Sequence, residues 1–284
     1  MSGAEPRSGA SLAGVSLALV GAGNMGFAML EGWAADGLAG PEIIVVEPQP
    51  SQPLVALCAN KGFRLVGSMG GEAVTPRDVV VLAVKPQMLD AGASAAAPFV
   101  DSRTTLLSIL AGKTLADLAS RIPACGAIIR AMPNTPASVG RGVTGAVADA
   151  GVDAGRIRLA EALLGAVGTV EWLPGEPAID ALTAVSGSGP AYVFYMVECL
   201  AAAGVAAGLP IDLAARIARA TIEGAGELLH RQPDVEAATL RERVTSPGGT
   251  TAAALGVLMA DDGLAPLMSR AVATARRRAG ELSG

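Results

Sequence analysis

Short apolar runs alternate with longer, more polar stretches through the first 175 residues of the chain. The runs are rich in Val, Ile and Leu and predict buried strands, and the stretches between them predict helices. The predicted strands cover residues 15–20, 43–47, 79–84, 105–110, 127–132, 143–148 and 169–173. The predicted helices among them cover residues 25–36, 54–61, 114–121 and 153–167. Continuous apolar strands are typical of a mainly parallel sheet covered by helices on both faces.

After Pro174 the strand pattern stops, and only helical periodicity continues. Gly and Pro separate the predicted helices, which cover residues 177–185, 190–208, 211–230, 251–261 and 264–282. The sequence therefore predicts an α/β fold with a doubly wound parallel sheet over 14–175. An all-α domain follows over 176–284. Residues 1–13 are polar and rich in Gly and Ser, and are predicted to be a disordered tail.

The helical half contains many small residues, as in the Ala- and Gly-rich segment over 201–208. Such a segment lacks the bulk to build a wide core within one chain. Close packing of helices between subunits would bury it, so we expect an obligate oligomer, at least a dimer. A tightly packed monomeric bundle is the alternative.

The segment over 21–26 reads Gly-Ala-Gly-Asn-Met-Gly and lies between a predicted strand and a predicted helix. This is the context of the Gly-x-Gly-x-x-Gly motif in Rossmann-type dinucleotide-binding domains, where the glycines allow a tight turn, close approach of a pyrophosphate, and close helix–strand packing. An ordinary glycine turn is the alternative. The predicted cofactor-binding residues here are Gly21, Gly23, Asn24, Met25 and Gly26.

Glu47 ends the second predicted strand, 26 residues after Gly21. A carboxylate there can accept hydrogen bonds from the adenosine ribose, which favours NADH. No arginine follows to pair with a 2′-phosphate, although Ser51 and Gln52 could bind one if Glu47 points away. We therefore predict NADH or NADPH, with a preference for NADH. Further cofactor contacts are expected at the same sheet edge from Ala83, Val84, Lys85 and Pro86; Lys85 could instead be an exposed loop residue.

A second glycine-rich loop, over residues 245–251, precedes the helix predicted over 251–261. Its glycines allow close approach of the backbone, and the first N–H groups of the helix can bind an anion. Two anion sites in separate halves suggest one for a cofactor phosphate and one for a small carboxylate. Helix capping is the alternative explanation for the hydroxyls of Ser246 and Thr250.

Composition narrows the functions further. The net charge is −5 without a basic stripe, so no nucleic-acid partner is expected. One His, His230, and three scattered Cys cannot form a metal centre, and sparse unpaired Cys suit the cytoplasm. The longest apolar stretch, over 191–209, contains Glu198 and many small residues, so a buried or interface helix is expected rather than a membrane span.

Taken together, several segments resemble the pyrroline-5-carboxylate reductase family. They are Gly21–Gly26, Ala83–Gln87, Ser108–Gly112, Arg130–Pro136, Ser186–Tyr192 and Val244–Thr251, in the family's order over about residues 14–280. The resemblance implies reduction of L-1-pyrroline-5-carboxylate to L-proline with NADH or NADPH. It also implies a homodimer with interlocked helical domains, often assembled into a larger ring such as a decamer. The chain departs from the family at Glu47, and at Gln232-Pro233 with the insert that follows.

The resemblance also implies site residues. The substrate carboxylate is expected on Ser246, Gly248, Gly249, Thr250 and Thr251. The Thr251 hydroxyl is predicted to be catalytic, with a hydrogen bond to the ring nitrogen. Asn134 is expected near the nicotinamide carboxamide or substrate, whereas Arg130 is expected to fix its loop or a subunit contact. The segment over 185–190 either closes the pocket beneath the ring or is a capped helix start.

Three other functions are compatible with parts of this pattern. A β-hydroxyacid dehydrogenase would need a base, usually a lysine in the helical half, but no lysine follows Lys113. The sequence hardly distinguishes a reductase of a five-membered imine from one of a six-membered imine such as piperideine carboxylate. One extra methylene changes the binding free energy by only ~1–3 kcal/mol. A catalytically silent nucleotide-binding regulator would not need the second anion site.

Overall fold

A computed structural model of the chain describes Leu12 and residues 14–68 and 74–282. The predicted disordered tail over 1–13 lies outside these residues except for Leu12, which is buried.

The described part of the chain contains an eight-stranded sheet with the order β3-β2-β1-β4-β5-β6-β7-β8. The strands are β1 (Leu17–Val20), β2 (Ile43–Val46), β3 (Arg64–Val66), β4 (Val79–Leu82), β5 (Thr105–Ser108), β6 (Ala127–Met132), β7 (Gly142–Ala148) and β8 (Gly168–Trp172). The first six strands are parallel, in the order of the Rossmann fold. Strand β7 pairs antiparallel to β6, and β8 lies parallel to β7. The predicted doubly wound sheet is confirmed.

In the residues described, six α-helices accompany the sheet: α1 (Asn24–Ala35), α2 (Gln52–Lys61), α3 (Leu89–Ala96), α4 (Leu115–Arg121), α5 (Ala154–Gly165) and α6 (Glu176–Leu182). Successive residues of β1 enter opposite cores. Leu17 and Leu19 pack in one cluster with Trp33 of α1, and Ala18 and Val20 pack in a second cluster on the other face. Both faces of the sheet are therefore covered, which explains why its strands are apolar throughout.

The chain divides into two compact units. The first runs to Gly187 and also includes the chain from Arg276 onward; the second is Ser188–Ala275. The division falls after the predicted domain boundary at residue 175, because α6 and the π-helical turn Thr183–Gly187 belong to the first unit. The last turns of the final helix also return to this unit.

The second unit consists of helices in the described structure. They are α7 (Gly189–Ala206), α8 (Ile211–Arg231), α9 (Ala237–Arg243), α10 (Thr250–Leu258) and most of α11 (Leu264–Leu282). Helix α9 occupies much of the insert over 234–240, for which no helix was predicted. His230 lies exposed in the last turn of α8.

The second unit has almost no core of its own. In the helices described, only Ala214 and Ala218 of this unit are buried, whereas Phe194, Tyr195 and Val257 are 64%, 65% and 73% exposed. Apolar surface of this extent on a stable helix pair marks an interaction site. A self-contained monomeric bundle is therefore wrong, and the surface requires a covering partner.

One helical stretch among the described residues, Glu176–Ala206, is long and apolar enough to cross a membrane by length and composition alone. An 18-residue window of this stretch has a mean hydropathy of 1.3, and 0% of the window is buried within the chain. A helix at a subunit interface has the same properties, as the sequence predicted for residues 191–209.

Candidate active site

The glycine-rich loop over 21–26 lies at the carboxyl edge of the sheet, between β1 and β4. This is the point where the strand order reverses and where open α/β sheets bind ligands. Gly21 has φ +89°, and a Cβ atom there would lie 2.8 Å from Val84 N. A Cβ atom on Gly26 would collide with Gly21 O and lie 3.1 Å from Ala83 Cβ. Both glycines are therefore required by the contact between this loop and the end of β4.

Gly23 differs from these two glycines, because a Cβ atom there would meet no heavy atom within 4 Å. Nothing in the described part of the chain requires glycine at this position. Its backbone is extended, with φ −65°, and it precedes the first turn of α1. The open space beside Gly23 is the approach that the second glycine of the motif leaves for a pyrophosphate.

The first turn of α1 offers donors to an anion. Phe27 N donates to Gly23 O at 2.8 Å, which is the first bond of the helix. In the described chain, the N–H groups of Asn24, Met25 and Gly26 have no hydrogen-bond partner, and no acidic residue lies in this turn. Unpaired N–H groups with the positive end of the helix dipole suit a phosphate. The loop therefore fits a dinucleotide.

Glu47 follows β2 and points toward the glycine-rich loop. Its carboxylate accepts hydrogen bonds from Ala22 N at 2.9 Å and from Gln49 N at 3.1 Å. The alternative in which Glu47 points away and leaves Ser51 to bind a phosphate is not observed, since the Ser51 hydroxyl caps α2 by accepting from Leu54 N. The negatively charged carboxylate of Glu47 thus lies beside the glycine-rich loop.

The segment Ala83–Pro86 follows β4 and borders the same edge. Ala83 N donates to Val20 O at 2.8 Å, which holds the end of β4 against the end of β1. Lys85 is exposed and precedes a short 3₁₀ turn that begins at Pro86. In the described structure its ammonium group forms no ion pair or hydrogen bond. The predicted contact of Lys85 with the cofactor therefore stays a prediction, with an exposed loop residue as the alternative.

Asn134 is buried, with 8% exposure, and its side chain is engaged within the protein. Its Nδ2 donates to Ser186 O at 3.1 Å and to Ser186 Oγ at 3.0 Å, and its Oδ1 accepts from Val143 N at 2.9 Å. The expected contact of this side chain with cofactor or substrate stays a prediction. The observed bonds instead connect the loop after β6 to the segment over 185–190.

Arg130 of β6 is only 3% exposed and forms an ion pair with Glu176 at 2.7 Å. The same carboxylate oxygen accepts from Leu115 N at 2.9 Å, so Glu176 joins β6 to the first turn of α4. Arg130 thus fixes β6 to the start of α6, and its predicted role at the loop or in a subunit contact stays a prediction. No sequence pattern marks Glu176 as a residue of this region, because its partners lie 46 and 61 residues away.

The second glycine-rich loop turns sharply before α10. Gly248 has φ +71°, and Gly249 N donates to Ser246 O at 3.0 Å. The first helical bond runs from Ala253 N to Gly249 O. Among the residues described, the N–H groups of Thr250, Thr251 and Ala252 have no hydrogen-bond partner. This turn therefore resembles the start of α1, with three unpaired donors at a helix N-terminus.

Helix capping does not explain the hydroxyls of this loop. The N-cap residue of α10 is Gly249, and no side chain forms a capping bond. The hydroxyls of Ser246, Thr250 and Thr251 have no hydrogen bond in the described structure, whereas Thr245 Oγ1 donates to Arg241 O at 2.6 Å. The three hydroxyls are therefore free to bind a ligand.

The remaining reactive side chains do not form a competing centre. No group of three or more His, Cys, Asp or Glu side chains in the described residues is placed to hold a metal ion. Cys58, Cys125 and Cys199 are free thiols. Burial raises the pKa of Cys58 and of Cys125, which keeps both thiols neutral and weakly nucleophilic.

Comparison with known protein families gives matches in both halves of the chain. A family described as pyrroline-5-carboxylate reductase dimerisation matches residues 176–282. A family described as NADP oxidoreductase, coenzyme F420-dependent, matches residues 16–112. The dimerisation match includes the exposed apolar helices of the second unit.

Individual proteins are similar over nearly the whole chain. A pyrroline-5-carboxylate reductase of Pseudomonas aeruginosa is 39% identical over 267 residues, which cover 94% of this chain and 96% of that protein. A solved pyrroline-5-carboxylate reductase from Coxiella burnetii has a TM-score of 0.86 at 33% identity, covering 95% of this chain and 99% of the other. A Plasmodium falciparum pyrroline carboxylate reductase, solved with NADP bound, has a TM-score of 0.77 at 26% identity, covering 96% and 100%.

Proposed function

The chain belongs to the pyrroline-5-carboxylate reductase family, and on this premise we propose that it reduces L-1-pyrroline-5-carboxylate to L-proline with NADH or NADPH. The observation that supports this assignment most directly is the pair of glycine-bounded helix starts, at α1 and α10. Each presents unpaired N–H groups to an anion. One fits the diphosphate of a dinucleotide, and the other fits the carboxylate of a small acid.

The cofactor is held by main-chain groups of the first unit. The N–H groups of Asn24, Met25 and Gly26 bind the diphosphate, and Gly23 leaves room for it. The segment Ala83–Pro86 and the loop that contains Asn134 border the nicotinamide half. When bound, the reduced nicotinamide supplies a hydride to the imine carbon.

The substrate carboxylate is held by the loop over 246–251. Thr250 and Thr251 donate their N–H groups, and the hydroxyl of Ser246 adds a further donor. The imine nitrogen is already protonated when the electrons of the C=N bond move onto it. The enzyme therefore needs orientation of the imine carbon more than a strong acid, and positioning supplies most of the rate enhancement.

Thr251 is proposed as the catalytic residue, because its unpaired hydroxyl can hydrogen-bond to the ring nitrogen. Replacing Thr251 with Ala removes this bond from a charged group, which is expected to lower kcat about 10-fold to 100-fold. The measurement follows cofactor absorbance after addition of pyrroline-5-carboxylate. Thr245→Ala is the matched control, because the Thr245 hydroxyl is bonded to Arg241 O and should not affect turnover.

Two results of this assay would contradict the proposal. Wild-type protein that binds the cofactor but shows no substrate-dependent oxidation would exclude the enzyme function and favour a silent nucleotide-binding protein. Equal losses in Thr251→Ala and Thr245→Ala would exclude a specific role for the Thr251 hydroxyl. The same assay with piperideine carboxylate measures activity on the six-membered ring.

We propose a preference for NADH, supported by the carboxylate of Glu47 beside the glycine-rich loop. A 2′-phosphate would bring a second negative charge close to this carboxylate. Glu47→Ser is expected to shift the ratio of kcat/KM values for NADH and NADPH about 10-fold toward NADPH, equivalent to about 1.4 kcal/mol. Glu42→Ser is the control, since Glu42 forms an exposed ion pair with Arg77 at the start of β2. An unchanged ratio in Glu47→Ser would refute this use of Glu47.

The exposed apolar helices of the second unit belong to a dimerisation domain, so the enzyme forms an oligomer. We propose a homodimer in which these helices bury one another's apolar surfaces, and a ring of dimers such as a decamer as the larger assembly. The free thiols suit a reducing compartment, and we propose that the enzyme acts in the cytoplasm.

A further inference from the structure

Asn134 connects the loop after β6 with β7 and with the π-helical turn Thr183–Gly187, through partners 9 and 52 residues away. On one side its Oδ1 accepts a hydrogen bond from Val143 N. This bond lies just beyond Met132 and Gly145, the last residue pair between β6 and β7. On the other side its Nδ2 donates to both oxygens of Ser186. The side chain therefore extends the contact between two strands and joins it to the π-helical turn Thr183–Gly187.

The π-helical turn needs an external donor at Ser186. In a regular helix the Ser186 carbonyl would accept from the residue four positions later, but that residue is Pro190, which has no N–H group. The next donor, Ala191 N, bonds to Ser188 O at 3.0 Å instead. Asn134 supplies the missing partner. Without it, the Ser186 carbonyl would lose its only hydrogen bond in the described structure.

The location of this turn relates it to the reaction. A Cβ atom on Gly187 would lie 3.7 Å from Met132 Cε, so the turn packs on the end of β6. The first segment of the first unit ends at Gly187, and α7, the first helix of the second unit, begins at Gly189. The turn is therefore the point where the chain leaves the sheet edge that borders the nicotinamide half. Isolated π turns of this kind are frequent at functional sites.

We propose that Asn134 is a positioning residue, which acts on hydride transfer by holding the turn Thr183–Gly187 against the end of β6. This inference rests on the proposed function. The side chain acts through Ser186, not by binding the cofactor, because its amide nitrogen and oxygen are both engaged within the protein. Loss of the bridge lets the turn and the adjoining loop shift, and a shift of about 1 Å near the reacting atoms can reduce the rate about 100-fold.

The test compares three substitutions in the oligomeric enzyme. Asn134→Asp keeps the shape but places an oxygen against the Ser186 carbonyl, so the carbonyl loses its donor, whereas the Ser186 hydroxyl can turn and donate to the carboxylate. Ser186→Ala removes only the hydroxyl contact and leaves the carbonyl bond. Ser138→Ala is the matched control, because the Ser138 hydroxyl makes only an exposed bond within the same loop, to Thr135 O.

Three quantities are measured for each variant. Stopped-flow single turnover gives the rate constant of cofactor oxidation, and its amplitude gives the active fraction. Fluorescence titration without substrate gives the cofactor Kd. Hydrogen exchange at Val143 N and at the amides of Gly187, Ser188, Gly189 and Ala191 reports the two sides of the bridge, independently of activity.

We expect Asn134→Asp to lower the single-turnover rate constant about 10-fold to 100-fold, with the amplitude retained and the cofactor Kd within about twofold. Exchange at the amides of Gly187, Ser188, Gly189 and Ala191 should accelerate, whereas Val143 N should exchange as in the wild type, because the carboxylate still accepts its bond. Ser186→Ala should fall between Asn134→Asp and Ser138→Ala. If Asn134→Asp does not fold, Asn134→Gln, which moves the same amide by one methylene, is expected to give the same pattern.

Other outcomes overturn the inference. A reduced amplitude with an unchanged rate constant would mean that Asn134 only stabilises the fold. A cofactor Kd that rises in parallel with the loss of rate would make it a direct ligand. Unchanged exchange at 187–191 would show that the bridge does not hold the turn. Absence of turnover in the wild type would instead refute the proposed function, and the exchange result would still decide whether the bridge exists.

Discussion

Replacing Gly26 with Ala is expected to abolish cofactor binding at ordinary concentrations and to destabilise the first unit. The new Cβ atom would collide with Gly21 O and press on Ala83 Cβ, and neither is the end of a flexible side chain. The start of α1 would have to move away from β4. Overpacking of this kind costs about 1–3 kcal/mol of folding free energy. The displaced N–H groups would no longer converge on a diphosphate, so the cofactor Kd should rise about 100-fold or more.

Gly23→Ala separates the requirement for binding from the requirement for folding. A Cβ atom at Gly23 meets nothing within 4 Å, and the backbone at φ −65° accepts any residue. The free energy of unfolding should therefore stay within about 0.5 kcal/mol of the wild type. The cofactor Kd should still rise, because the methyl group enters the space that the diphosphate needs.

Urea unfolding and fluorescence titration of the cofactor measure these two effects. The expected pattern is loss of both stability and affinity in Gly26→Ala, but of affinity alone in Gly23→Ala. Wild-type affinity in Gly26→Ala would contradict the assignment of this loop. Equal destabilisation in the two variants would contradict the account of why each glycine is present.

Replacing Gly249 with Ala is expected to impair the substrate site without affecting the cofactor site. A Cβ atom there would collide with Ser246 Oγ and lie 3.1 Å from Ser246 O. The Ser246 hydroxyl would have to rotate away from the first turn of α10, and the backbone of the bend would have to shift by a few tenths of an ångström, which misplaces both donors. Loss of two hydrogen bonds to a carboxylate corresponds to about 3 kcal/mol or more, so the KM for pyrroline-5-carboxylate should rise about 100-fold.

Steady-state kinetics at saturating cofactor, together with cofactor titration, measure this separation. Gly151→Ala is the matched control, since a Cβ atom at that exposed loop position meets nothing within 4 Å. This control substitution should leave the KM for pyrroline-5-carboxylate and the cofactor Kd unchanged. A Gly249→Ala enzyme with an unchanged KM, or with a cofactor Kd that rises as much as its KM, would contradict the placement of the carboxylate on this loop.

The fold was largely predictable from the sequence, because most buried strands lie in apolar runs whose bounds are close to those of the observed strands. Strand β6 matches its predicted bounds, whereas β3 was missed. It is only three residues long and begins with the exposed Arg64, so it carries no comparable pattern. The short helix α9 was missed for a similar reason, since neither of its ends is marked by a side-chain cap.

The candidate site was predictable only where local backbone chemistry defines it. The glycine-rich loops at Gly21 and Gly249 have signatures within a few residues, so sequence spacing locates them. The bonds of Asn134 join residues that are 9 and 52 positions away, and those of Glu176 span 46 and 61. Sequence spacing cannot predict such hydrogen-bonded pairs, because their segments meet only in the folded structure.

Hydride transfer to the imine carbon is tested most directly with a deuterium label. The wild-type enzyme is supplied with NADH or NADPH that carries deuterium at the transferable position of the nicotinamide, together with unlabelled pyrroline-5-carboxylate. We expect proline with a single deuterium on the former imine carbon, detected by mass spectrometry and NMR. Cofactor consumption that yields proline without the label, or no proline at all, would contradict it.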